Sequence, residues 1–311
     1  MSNLILVVTL TSIYAMLSIC FIIQYLTKSF FNVAIFSYIY AVPYFISAIA
    51  GSNPSIPIFA VAIILSIAGV ALLNAIVDLV IFLPISNSSA FLKTITSIAV
   101  SFLVVTIVNV ISPNPQQFET PWRSETILGI SNQAYSFDAI LVFISILVFA
   151  SFIYVFVKSS AGIKLRAWSY DRKTARAYGV SSNSILIYVS LITGFLLTIA
   201  GVFLAGSPHP GLETESVQAI ALIATSVVVV ARLRDLRVAL ITSLVIAIAQ
   251  TYAWANIEKI DSRFHSIVSS LGSETNITLG SAFSTRFVPF ALAFIALVLL
   301  PSRWIKEETN G

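Results

Sequence analysis

A helix that crosses the roughly 30 Å hydrocarbon core of a bilayer needs about 20 apolar residues. Along this chain of 311 residues nine stretches meet that requirement, approximately 3–25, 31–50, 56–82, 88–111, 137–157, 183–206, 214–231, 236–257 and 282–302. Most stretches between them carry turn chemistry: GSNPSIP after the second, SPNPQQFETPWRSE after the fourth, GSPHPG after the sixth. No linker long enough to separate folded domains interrupts the series, so residues 1–311 read as one all-α, polytopic transmembrane domain of about nine helices.

Composition agrees, since a mean hydropathy of +0.97 with 10% charged residues lies far outside the range of soluble globular domains. A net charge of +4 could suggest nucleic acid, but in a membrane chain the placement of Lys and Arg reports orientation instead. If residues 158–182 face the cytoplasm, only Arg123, Lys259, Arg263 and Arg286 of the 17 basic residues fall outside. They share that side with most of the 13 carboxylates. The positive-inside rule therefore predicts a multi-pass protein of the cell (plasma or inner) membrane, N-terminus out and C-terminus in, with the lipid bilayer as its solvent and no nucleic-acid partner. The first span lacks a basic n-region and a small-x-small site, so it is expected to be retained.

Reactive side chains are scarce. His209 and His265 both fall in outer loops without a partner at metal-ligand spacing, and Cys20 has no second cysteine with which to pair. No GxSxG, Walker or paired-carboxylate constellation lies in a span. These absences point away from an enzyme, a metal site or a bound cofactor, and toward transport. Polar residues inside the spans are Gln24, Asn32, Asn74, Asp78, Asn109, Gln218 and Gln250. Asp78, near the cytoplasmic end of its span, is expected to reach water, and Asn74 shares its helix face. Without a convincing buried ionisable group, energy coupling is expected to come from outside the chain.

The stretch GIKLRAWSYDRKTARAYGV, residues 162–180, concentrates five basic side chains, one carboxylate and three aromatics. With no Pro or internal Gly, 165–178 is expected to form one short helix closed by a left-handed Gly179. On it Ala167, Tyr170, Thr174 and Tyr178 share one side and Arg166, Lys173 and Arg176 another. Asp171 has no basic residue three or four positions away, so its partner is not within the helix; a single solvated carboxylate or a partner protein accounts for it. A loop that merely fixes orientation explains the charge as well.

The spacing Gly162, Arg166, Ala167, Asp171, Ala175, Gly179, Val180 resembles the G-x3-RA-x3-D-x3-A-x3-G-[IV] pattern of the cytoplasmic coupling segment in permeases of branched-chain amino acid type ABC transporters, a group that includes urea-like members. Tyr14, Ala15, Asn32 and Ala34 match that family's first two spans, and GFLLTIAGVFLAGSPHPG looks like the helix and outer loop after its coupling segment. Two departures stand out. Ile35 and Phe36 replace a small polar pair, and VVVVARLRDLRVAL occupies the place of a Gly-Gly-x-Gly-Ser run.

The resemblance implies a permease subunit of an ABC importer that forms half of a pathway for branched-chain amino acids or small amides such as urea. It implies as partners cytoplasmic ATP-binding subunits, where ATP hydrolysis takes place, a second permease subunit, identical or homologous, and an extracytoplasmic solute-binding protein. ATPase coupling is expected of the segment 159–182 through Gly162, Arg166, Ala167, Tyr170, Asp171, Ala175 and Gly179. Asn32, Asn74 and Gln218 are the candidate pathway residues, and Glu213 and Glu215 the candidates for docking the binding protein. A permease for simple sugars or nucleosides, and a stand-alone secondary transporter or channel, remain alternatives.

Overall fold

The computed structural model describes residues 2–51, 55–111, 154, 158–206, 214–233, 235–256 and 291. All regular structure among them is helical: α1 (Ser2–Lys28), α2 (Ile35–Ala50), α3 (Ile56–Val77), α4 (Ala90–Ile111), α5 (Ser160–Tyr170), α6 (Arg172–Ala177), α7 (Ser182–Gly206), α8 (Thr214–Val230) and α9 (Leu236–Ala255). A π-helical turn, Asp78–Phe82, prolongs α3. Seven of the nine expected stretches are helical within a few residues of their expected bounds; 137–157 and 282–302 lie outside the described residues, apart from Tyr154 and Ala291. Five helices are long and apolar enough to cross a membrane: α1, α3 with its π turn, α4, α7 and α9. The apolar helix α2 is shorter, and so is the apolar stretch of α8.

Hydropathy treats these helices alike, but packing does not. α1 is the central element, in contact with α2, α5, α7, α8 and α9. Its residues Ile13, Tyr14, Ala15, Met16, Leu17, Cys20, Phe21, Ile22 and Ile23 are almost wholly buried. By contrast α3 and α4 show an apolar outer face, with Ile64, Leu72, Leu103 and Val110 exposed. In a bilayer that face meets lipid, where an apolar side chain costs nothing.

Close approach of α7 to its neighbours depends on lost side chains. A Cβ on Gly194 would lie 2.5 Å from the Ile67 carbonyl oxygen on α3. One on Gly201 would lie 2.6 Å from Val42 Cβ on α2. Small residues at such crossings let backbones meet and dispersion replace the hydrophobic effect as the associating force.

The basic end of the bundle, where α1 and α3 finish and α4 and α7 begin, holds the segment 159–182. The short link between α1 and α2 is pinned there by α4: the Ser97 hydroxyl accepts from the Val33 N–H at 3.0 Å. This hydroxyl replaces the water that a buried backbone donor loses.

Candidate functional site

Between residues 159 and 182 the chain makes two helices where one is expected. Ser159 Oγ caps α5 by accepting from the Gly162 N–H at 3.1 Å. At Asp171 the backbone turns extended, φ −148° and ψ 110°, and the helix stops. The Asp171 carboxylate then caps α6, accepting from the Lys173 N–H at 2.8 Å, the Thr174 N–H at 3.3 Å and the Thr174 hydroxyl at 2.5 Å. A short carboxylate competes with the helical ladder for backbone donors, which is why Asp breaks a helix here that hydropathy and Gly/Pro spacing leave whole. Asp171 thus has hydrogen-bond partners within the segment, which charge spacing does not register. The Thr174 hydroxyl, and after it the two N–H groups, hold this exposed carboxyl below the usual carboxylate range.

Gly179 ends α6 at φ 82°, the left-handed conformation. Val180 N–H donates to the Ala175 carbonyl at 3.0 Å and Gly179 N–H to that of Arg176 at 2.9 Å, the paired bonds of a Schellman close.

The segment has two sides. Gly162, Leu165, Trp168, Ala175 and Val180 are buried. Trp168 Nε1 donates to the Thr27 carbonyl at 3.4 Å, and Arg172 Nη2 donates to the same oxygen at 2.7 Å and to Ser29 Oγ at 2.8 Å. The last carbonyls of a helix have no intrahelical partner. Two side chains of the segment therefore cap the C-terminus of α1 and fasten the segment to the central helix. Arg176 stacks on Trp168, 5.3 Å from the ring centre. On the opposite side Arg166, Ala167, Asp171 and Thr174 are exposed, with Tyr170 at 95% and Tyr178 at 85%. Of the expected coupling residues, Gly162 and Ala175 face the bundle; Arg166, Ala167, Tyr170, Asp171 and Gly179 face away.

Beneath the segment a polar network crosses three helices. Lys28 Nζ on α1 lies 2.6 Å from Asp78 Oδ1 at the start of the π turn and donates to Gln24 Oε1 at 2.8 Å. Gln24 donates to Asn74 Oδ1 on α3 at 3.0 Å and to Thr193 Oγ1 on α7 at 3.2 Å. Asn74 Nδ2 reaches Ser190 Oγ on α7 at 2.9 Å. Asp78 is 4% exposed, so it does not reach water as expected; Lys28 neutralises it inside the bundle. From sequence alone Lys28 reads only as an orientation marker. A signal for the pair is nonetheless present, since Gln24/Lys28 and Asn74/Asp78 are both i, i+4 pairs at the same end of the first and third spans.

Asn32 and Asn74, both expected on the pathway, are buried in this network. Asn32 Nδ2 donates to Gln24 Oε1 at 2.6 Å, and its Oδ1 accepts from the Ala34 N–H. Its neighbours Phe31 and Val33 instead line a cleft of about 510 Å³ between α2, α4 and α8, with Ser37, Tyr40, Ser101, Phe102 and Thr225. The cleft is largely apolar with a few hydroxyls. Gln218 and Glu215 fall on α8, and Glu213 lies outside the described residues.

A helical bundle with several membrane-length helices, and a basic two-helix segment clamped to its central helix, define a multi-pass membrane protein. A family model described as branched-chain amino acid transport system / permease component matches residues 3–271, and the chain belongs to that family. It is thus a permease component of an ABC transporter, a class that works with ATPase and solute-binding partners. No curated protein and no solved structure matches the chain.

Proposed function

We propose that this chain forms half of the pathway of an ABC importer for branched-chain amino acids or related small polar solutes such as amides and urea. A second permease subunit completes the pathway, two cytoplasmic ATPase subunits bind beneath it, and an extracytoplasmic binding protein delivers the solute. The N-terminus lies outside and the C-terminus inside. The observation that carries this reading is the two-sided segment 159–182, fixed to α1 by Trp168 and Arg172 and open on the side of Tyr170 and Tyr178. An aromatic, positively rimmed surface of that kind suits a protein interface.

Mechanically, closure of the ATPase dimer would push the segment as a rigid body. Trp168 and Arg172 pass the movement to the end of α1, Lys28–Asp78 passes it to α3, and Asn74 with Ser190 passes it to α7. The cleft between α2, α4 and α8 is the pathway candidate on this subunit, its apolar walls suited to an aliphatic side chain and its hydroxyls to an amide.

The test is a single cysteine at Tyr170, in a Cys20→Ser background, with a bifunctional maleimide applied to native inside-out membranes. Crosslinking to an ATP-binding polypeptide, altered by ATP, is the expected result. Labelling of the cysteine from outside intact cells, or purification of an uptake-competent chain with no ATPase, would sink the importer reading. Substrate is assigned separately by competition for uptake among leucine, urea and ribose in proteoliposomes containing the whole complex.

A further inference from the structure

Below the clamp, at the basic end, lies a cavity of about 190 Å³ bounded by the end of α1, the π turn, the start of α4, α5, α6 and the start of α7. Three cations line it, Lys28, Lys93 and Arg172, against one carboxylate, Asp78. Asp78 is already matched by Lys28 at 2.6 Å. What remains is the charge of Lys93 and Arg172, reinforced by the positive end of the α7 dipole, since Ser182, Ile185 and Leu186 of its first turns also face the cavity. Neither cation has used all its donors. Lys93 gives one N–H to the Ser86 carbonyl, and Arg172 spends one terminal nitrogen on Thr27 and Ser29; an ammonium has three N–H groups and a guanidinium five.

The walls are Phe30, Phe82, Leu83 and Trp168. Leu83 of that wall is 59% exposed, and on the same two elements Val80 of the π turn and Phe91 at the start of α4 are 66% and 74% exposed, so an apolar apron borders this end of the bundle. A soluble anion would satisfy the cations and leave that apron unused. A ligand with a phosphate group and acyl chains satisfies both, and basic hollows between helices at a membrane surface are where acidic headgroups bind.

We propose that this cavity is a headgroup site for an anionic phospholipid, with the phosphate between Lys93 and Arg172 and the chains on the Val80–Leu83–Phe91 face. Because Arg172 and Trp168 also hold the segment 159–182 to α1, a bound lipid braces the clamp. The inference does not rest on the transported substrate or on the ATPase.

The test uses the full-length chain in detergent, delipidated and then titrated with phosphatidylglycerol, phosphatidylcholine or inorganic phosphate. Native mass spectrometry reads the bound lipid and a thermal melt the stabilisation. Phosphatidylglycerol is expected to be retained and to raise the melting temperature, phosphatidylcholine and phosphate not. One cation at a membrane surface contributes enough that Lys93→Gln should weaken phosphatidylglycerol binding about fivefold. Arg237→Gln removes the same charge from an exposed position on α9 outside the cavity and should leave binding intact. Equal loss in Lys93→Gln and Arg237→Gln would show diffuse surface attraction, and stabilisation by phosphate equal to that by the lipid would show a soluble-anion site. Either result overturns the proposal, as does retention of phosphatidylglycerol no greater than that of phosphatidylcholine.

Discussion

At 177–182 the chain leaves α6 for α7, and at 231–235 it leaves α8 for α9. In both places the backbone passes through the left-handed region and closes with the same two bonds. Val180 to Ala175 (3.0 Å) and Gly179 to Arg176 (2.9 Å) in the first become Leu233 to Val228 (3.1 Å) and Arg232 to Val229 (3.0 Å) in the second. Asp235 then caps α9 as Asp171 caps α6, accepting from two N–H groups at 2.8 and 3.3 Å. Yet the left-handed residue is Gly179 in one turn, and in the other Arg232 and Leu233, at φ 54° and 61°. A side chain in that region costs about 1–2 kcal/mol per residue. The second turn thus takes with a charged and a branched side chain the conformation that glycine adopts without strain.

The largest difference between the two turns lies in what anchors them. Trp168 is 5% exposed under the first segment, whereas Leu233 only packs against the edge of the core. Trp168→Ala should therefore cost about 3–5 kcal/mol locally, as large buried aromatic truncations do. The expected readout is new tryptic cleavage within 164–176 and loss of transport at normal membrane expression. Leu233→Ala should leave the cleavage pattern unchanged. If both variants behave alike, the clamp on α1 is not what holds the segment.

Next comes a pair of opposite signs. Gly179→Val should destabilise by about 1–2 kcal/mol from backbone strain. A Cβ there meets nothing within 4 Å, so no steric clash contributes. Arg232→Gly relieves the same strain but adds unfolded-state freedom worth about 0.5–1 kcal/mol, for a net change between zero and about 1.5 kcal/mol stabilising. Thermal melts of the purified chain measure both. A lower melting temperature in Arg232→Gly would mean that the Arg232 side chain contributes more than its backbone conformation costs.

These turns also mark how far the residues can be read in advance. Seven helices, five of them of membrane length, and the left-handed Gly179 follow from hydropathy and from glycine chemistry, because both are local. The central position of α1 does not, since a helix apolar all round suits a protein core and a lipid face equally. The Lys28–Asp78 pair joins residues 50 apart in sequence, so the two i, i+4 polar pairs hint at it while the contact itself is set by the fold. Arg232 and Leu233 cannot be foreseen as left-handed, because nothing in their side chains favours it. The break at Asp171 is legible in principle: Asp followed three residues later by a hydroxyl is cap chemistry, which charge spacing alone does not register.

The smallest expected effect is the most discriminating for Asp171. Its carboxylate is exposed, yet its oxygens already serve the Lys173 and Thr174 N–H groups and the Thr174 hydroxyl. If capping is its whole role, Asp171→Asn should transport like the native chain, because the amide oxygen of Asn caps nearly as well. Asp171→Ala should fray α6 and reduce coupling, and Asp235→Ala should fray the start of α9 with less effect on transport. The pH dependence follows the same logic. A carboxyl held below its usual value stabilises the folded segment fully above the unfolded value of about 3.9 and loses that contribution as pH falls through the lowered one. Between about pH 5 and pH 8 the cap is therefore constant, and transport in Asp171→Asn should run parallel to the native profile. Should Asp171→Asn lose ATPase association while its segment resists trypsin as the native one does, the charge itself meets a partner on the ATPase, and the cap is only half of what Asp171 does.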